Sequence, residues 1–231
     1  CFLLAGTAFY LYRSIESNAQ NTPAQIPSAN QQANQFPTNV NLDCAGCHGP
    51  GKAIPNLGGE LFHKDTHSAL DTSIHAKLAP NGKPIASCKD CHTVNGDLTT
   101  ALPAENPKST VNRAVIASTC GKCHSDKTVM QGTGISDRPI MAYRESVHAK
   151  AIARGDIQAA VCTDCHSAHN IQPASDPRST IAKTNIAVTC GRCHGTESRQ
   201  FVESVHGEAV TRGVSRSPSC TDCHGIHDIQ R

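Results

Sequence analysis

The chain of 231 residues has no tryptophan, three tyrosines, five phenylalanines and two methionines, so only 3% of it is aromatic. Large apolar side chains supply most of the area that folding removes from water, at about 25 cal/mol per Å². A chain this poor in them does not fill a conventional interior for its length. Long apolar runs are missing too. The strongest, FLLAGTAFYLY at residues 2–12, has eleven residues, whereas a helix needs about 20 to cross a bilayer. Charge is sparse and balanced: 21 Lys and Arg against 19 Asp and Glu give a formal +2. With no basic run of note, nothing points to nucleic acid as a partner. No segment alternates apolar and polar residues as a half-buried strand does, so no significant β-sheet is expected. Between residues 18 and 42 there is no charged residue at all, and Asn, Gln, Pro, Ala and Ser dominate.

Cysteine and histidine are what the chain has in excess, thirteen of each. Twelve cysteines fall into six C-x-x-C-H motifs: Cys44, Cys47 and His48; Cys88, Cys91 and His92; Cys120, Cys123 and His124; Cys162, Cys165 and His166; Cys190, Cys193 and His194; Cys220, Cys223 and His224. Two thiols three positions apart can form thioethers to the two vinyl groups of one haem, while the adjoining imidazole reaches the iron. A redox dithiol, a zinc knuckle or a disulfide framework would also use paired cysteines. None of these requires a His after every second Cys in six motifs of six. The motifs therefore predict six covalently bound haem c groups, which would also supply the apolar interior that the side chains lack.

Beyond the six motif histidines stand His63, His67, His75, His148, His169, His206 and His227, seven candidates for six remaining axial positions. An internal repeat sorts them. Residues 107–124, PKSTVNRAVIASTCGKCH, match residues 177–194, PRSTIAKTNIAVTCGRCH. Residues 145–171, ESVHAKAIARGDIQAAVCTDCHSAHNI, match residues 203–229, ESVHGEAVTRGVSRSPSCTDCHGIHDI, and residues 72–98 are a weaker third copy. Three two-haem modules in tandem follow, at 43–105, 106–176 and 177–231. His148 corresponds to His206, His169 to His227, and His75 to the first of these pairs. Where His169 and His227 stand, the first module has Asn95. His67 is expected to replace the missing ligand, with His63 as its alternative. Met130 and Met141 are available as axial ligands in principle, but the histidine count leaves no vacancy for them.

Residues 140–154 and 198–212 have helical composition, with Gly155 and Gly213 as stops; His148 and His206 are expected mid-helix. Each C-x-x-C-H is expected in or at the start of a short helical turn. The fold class is thus mostly irregular with short α-helices wrapped around haems.

Residues 1–16 are expected to act as a membrane anchor, through a lipidated Cys1 or as part of a transmembrane segment. Residues 17–42 read as a polar tether, 25 uncharged residues of it spanning about 25–30 Å as a flexible coil. Covalent haem attachment of this kind predicts an extracytoplasmic location, periplasmic or at the cell surface.

Residues 107–229 resemble the multihaem c-type cytochromes with doubled C-x-x-C-H modules, in which TCGxCH, SVHG and CTDCHGxH recur as here at Thr189, Ser204 and Cys220. The resemblance covers the first module loosely, and Asn95 departs from it. It implies a bis-His electron carrier rather than an enzyme. Its partners would be other redox proteins, such as a membrane oxidoreductase complex of a respiratory or photosynthetic chain. Polymeric cytochrome filaments share these features, which keeps a homopolymer in view. A multihaem reductase would need an open iron position, sometimes with a proximal Lys; the sequence has no C-x-x-C-K, and the candidate ligands outnumber the irons.

Overall fold

The computed structural model describes Cys44 and residues 66–77, 79 and 85–231; for residues 66–68 it describes the backbone alone. All of these fall in one unit, residues 39–231. The described elements are helices: α1 (Thr66–Thr72), a 3-10 turn (Ile74–Ala76), α2 (Cys88–His92), a second 3-10 turn (Leu98–Thr100), α3 (Ile116–His124), α4 (Lys127–Met130), α5 (Pro139–Glu145), α6 (Val147–Ala153), α7 (Cys162–His166), α8 (Ile186–Gly191), α9 (Gly195–Val202), α10 (Val205–Thr211) and α11 (Cys220–His224). Among the described residues there is no sheet, only one isolated bridge between Val94 and Asp97. None of the described helices is long and apolar enough to cross a membrane.

The helices are short because their caps are written into the sequence. In the motifs of the form C-x-D-C-H, the Asp is the third residue of the helix and its carboxylate reaches back to the residue before the first Cys. Ser87 N–H and Oγ both donate to Asp90 at 2.7 Å, and Ser219 N–H and Oγ donate to Asp222 at 2.7 and 2.9 Å. At Val161 only the backbone N–H donates, to Asp164 at 2.7 Å. These carboxylates satisfy donors that a helix start otherwise leaves open, and they sit at the favourable end of its dipole.

The segments preceding the non-motif histidines behave differently from the expectation of one continuous helix. The helical stretches break at Ser146 and Ser204, whose backbones are extended at ψ 159° and 161°. Ser146 Oγ accepts from Ala149 N–H at 3.0 Å and Ser204 Oγ from Gly207 N–H at 3.2 Å. A serine hydroxyl that caps a new helix competes with continuing the old one. His148 and His206 are consequently second residues of α6 and α10, not mid-helix. Ser73 plays the same part for the turn that carries His75, accepting from the His75 N–H at 3.2 Å. The two helices do end at the expected glycines, Gly155 at φ +90° and Gly213 at φ +78°, a left-handed conformation that glycine adopts at little cost.

The interior is small and largely polar. Its buried apolar residues are Ile116, Ile140, Val161, Ala182, Ala187 and Val210, while the most completely buried side chains are hydroxyls: Ser73, Thr93, Ser109, Ser146 and Ser179. Each of those hydroxyls needs a hydrogen bond to be tolerated there, and neighbouring threonine hydroxyls tie successive motifs together. Thr110 Oγ1 donates to the Cys91 carbonyl at 2.6 Å, and Thr119 Oγ1 to the Thr110 carbonyl at 2.5 Å. In the next copy, Thr180 donates to the Cys165 carbonyl, and Thr189 to the Thr180 carbonyl at 2.7 Å. The Ser-Thr pair of each repeat therefore fastens one motif to the motif that precedes it.

Candidate metal-binding sites

Two further contacts position the non-motif histidines. Ile74 N–H and Ser73 Oγ donate to the Ile171 carbonyl at 2.8 and 3.1 Å, and Gln172 Nε2 donates to the Thr72 carbonyl at 2.6 Å. One repeat later, Val147 N–H donates to the Ile229 carbonyl at 3.0 Å, and Gln230 Nε2 to the Glu145 carbonyl at 3.2 Å. The Ile-Gln pair of one repeat thus clasps the Ser-x-His start of the repeat before it. The sequence comparison aligns Ile171 with Ile229 but does not say that the partner lies in another repeat.

Across that clasp, each histidine faces a motif histidine of a neighbouring repeat. His75 lies opposite His124 and His148 opposite His194, both with ring centroids 6.1 Å apart. His169 lies opposite His92 at 6.0 Å and His227 opposite His166 at 5.9 Å. An imidazole nitrogen stands about 2.0–2.1 Å from a bound metal, so two rings on opposite sides of one metal have centroids about 6 Å apart. Aromatic rings in simple contact span about 4.5–7 Å, and one pair alone would decide nothing. Four pairs between 5.9 and 6.1 Å, each joining a motif His to a repeated non-motif His, fit a shared iron.

The electrostatics agree. Burial, followed by the nearby His227 and His124, lowers the His166 pKa to about 4. Burial is also the leading cause of the lowered pKa of His75, His124, His148 and His227. At neutral pH these rings are uncharged and keep the lone pair that a metal needs. The exposed His224 shows how a motif His is oriented: its Nδ1 is 3.1 Å from the Gln230 carbonyl. A carbonyl only accepts, so Nδ1 carries the proton and Nε2 is left as the ligand atom.

The cysteines add the order of the sites. The eleven described cysteines stand where thioether sulfurs would be in the haem-loaded chain. The first cysteines of two consecutive motifs lie close enough for one to shift the other's titration: Cys88 is raised in part by Cys44, Cys120 by Cys162 and Cys190 by Cys220. The second cysteines sense one another between those pairs, Cys91 with Cys123 and Cys165 with Cys193. The motifs therefore follow one another in space in the order of the chain. Residues 141–225, less than half of the chain, match the family model described as cytochrome c7 and related cytochrome c.

Over those residues the chain is similar to the multihaem c-type cytochromes. The matched segment includes the motifs beginning at Cys162, Cys190 and Cys220 and three of the non-motif histidines, His148, His169 and His206. The family points to electron transfer rather than turnover of a substrate. No curated protein and no solved structure matches the chain. Cys1, Cys47, His48 and His63 lie outside the described residues, and His67 belongs to α1 with its side chain undescribed. Asn95, in place of a histidine, takes a left-handed turn at φ 53° between Val94 and Asp97.

Proposed function

We propose that the chain is a hexahaem relay, passing electrons from a membrane-bound donor to another redox protein or an extracellular acceptor. Haem iron supplies a one-electron couple when bound. The chain's own residues do the rest. Twelve cysteines hold the macrocycles, the six motif histidines ligate one face, and His75, His148, His169 and His227 close the opposite face of four of them. The observation that carries this reading is the set of four histidine pairs at metal-bridging distance, arranged along motifs that neighbour one another in chain order. Closing both axial positions removes the vacancy a reductase would need. His206 and His67, or His63 in its place, supply the two further ligands that six closed irons require.

Covalent attachment of haem c places the protein outside the cytoplasm, and residues 1–16 anchor it to the membrane, with residues 17–42 as tether. The purified protein is expected to contain six haems per chain by pyridine haemochrome assay. Its reduced form is expected to bind little carbon monoxide in concentrated solution. Markedly fewer haems, or ready carbon monoxide binding by every haem, would refute the relay.

A further inference from the structure

We propose that Gln230 is a positioning residue shared by two neighbouring haem sites: its backbone carbonyl orients the motif ligand His224, while its side-chain amide holds the segment that delivers His148 to the His194 site. The proposal rests on the bis-His reading above. Gln230 and His224 exchange two hydrogen bonds. The Gln230 N–H donates to the His224 carbonyl at 2.9 Å, and the His224 Nδ1–H donates to the Gln230 carbonyl at 3.1 Å. Ring and backbone of the motif His are thus both tied to one residue. The side chain of that residue has another partner: Gln230 Nε2 donates to the Glu145 carbonyl at 3.2 Å and to the Asp228 carbonyl at 2.7 Å. Beside it the Ile229 carbonyl accepts from the Val147 N–H at 3.0 Å. Glu145 and Val147 flank Ser146, the cap of α6, and His148 follows with its ring 6.1 Å from that of His194. Residues 229 and 230 therefore fix both sides of the cap on which the place of His148 depends.

Two observations separate this from a simple strut. The sites that Gln230 joins are neighbours, since Cys190 lies close enough to Cys220 to be raised by it. The corresponding glutamine of the preceding repeat, Gln172, makes the clasp without the hold on an imidazole: its Nε2 donates to the Thr72 carbonyl at 2.6 Å, but its carbonyl accepts from Ser179 Oγ at 3.1 Å. A carbonyl that accepts from Nδ1–H strengthens the donation of Nε2 to a bound iron, which favours the ferric state and lowers the potential of that haem. Because one residue carries both contacts, the ligand geometry of the His194 site and the donor strength of His224 move together.

The test compares the haem-loaded full chain with Gln230→Leu, His148→Ala and the double variant. Haem content, the high-spin ferric fraction and midpoint potentials from a spectroscopic redox titration are measured for each. Leucine is what the first module carries at this place, where residues 102–109, LPAENPKS, match residues 172–179, QPASDPRS. It has no N–H to donate, and Gln230 is exposed, so the substitution leaves the interior intact. Gln230→Leu is expected to keep the wild-type haem content, to show a partial high-spin signal of at most one haem per chain, and to move one low-spin haem to a more positive potential. His148→Ala is expected to open one iron fully; if it opens none, the bis-His reading fails and the proposal with it. In the double variant the high-spin signal is expected to equal that of His148→Ala alone, while the positive shift persists. With His148→Ala behaving as expected, the proposal alone is overturned if Gln230→Leu has wild-type spin state and potentials, or shows only one of the two changes. High-spin signals that add in the double variant would overturn it as well, by placing the effect at another iron.

Discussion

At the scale of residues, the chemistry rests on which histidine meets which. The candidate Cys and motif His positions are read from the sequence alone, because thioether formation demands a fixed local spacing. The ligand partners were not legible. His169 and His92 are separated by a whole repeat, and only the clasp of Ile171 and Gln172 on residues 72–74 brings them to 6.0 Å. A double substitution tests this pairing. Deleting the haem at Cys88 and Cys91 by serine substitution should make a further His169→Ala change silent in the high-spin ferric signal. The same deletion combined with His148→Ala should still open one iron, that of His194. If His169→Ala opens an iron in the deleted background, the pairing is wrong. The contribution of Asn95 is equally local: where two repeats place a histidine, the first makes a turn with φ 53°, a conformation asparagine tolerates better than most residues.

At the scale of elements, serine decides where the ligand sits. The repeated S-V-H was visible in the sequence, but helical composition on both sides concealed that Ser146 and Ser204 end one helix and cap the next. Ser146→Ala removes the acceptor for the Ala149 N–H, and its loss should cost about 1 kcal/mol. Because His148 is the second residue after that cap, the variant should also show a partly high-spin haem, measured alongside the denaturation midpoint. The pairs also differ in ring orientation. The planes cross at 54° and 51° for the His124 and His194 sites, and lie within 2° and 10° of parallel for the His92 and His166 sites. The angle between axial imidazole planes sets the splitting of the iron orbitals that hold the unpaired electron. Two distinct low-spin signals, with two of these four haems in each, are expected in the ferric electron paramagnetic resonance spectrum. A single uniform signal would contradict the two orientations.

At the scale of the whole molecule, the shortage of core defines the folding problem. Among the described residues only six apolar ones are buried, while Met141, Val188, Val205 and Ile226 are each more than 60% exposed. Apolar side chains left at the surface in such numbers, over an interior sealed by hydroxyls, are what porphyrin faces would cover. Chain produced without covalent haem attachment should therefore lack stable structure, read as a largely unfolded circular dichroism spectrum; a folded, cooperatively melting apoprotein would contradict this. The sequence by itself determined six C-x-x-C-H motifs, the helical and irregular fold class and the set of candidate ligands, because those follow from residue spacing and composition. Tertiary structure alone decided that His75, His148, His169 and His227 each face a motif histidine of a neighbouring repeat, and that no ring among the described residues faces His206. The reason is physical: a C-x-x-C-H motif is a relation among five consecutive residues, whereas the opposite axial position is filled by whichever imidazole the packing of separate repeats carries there.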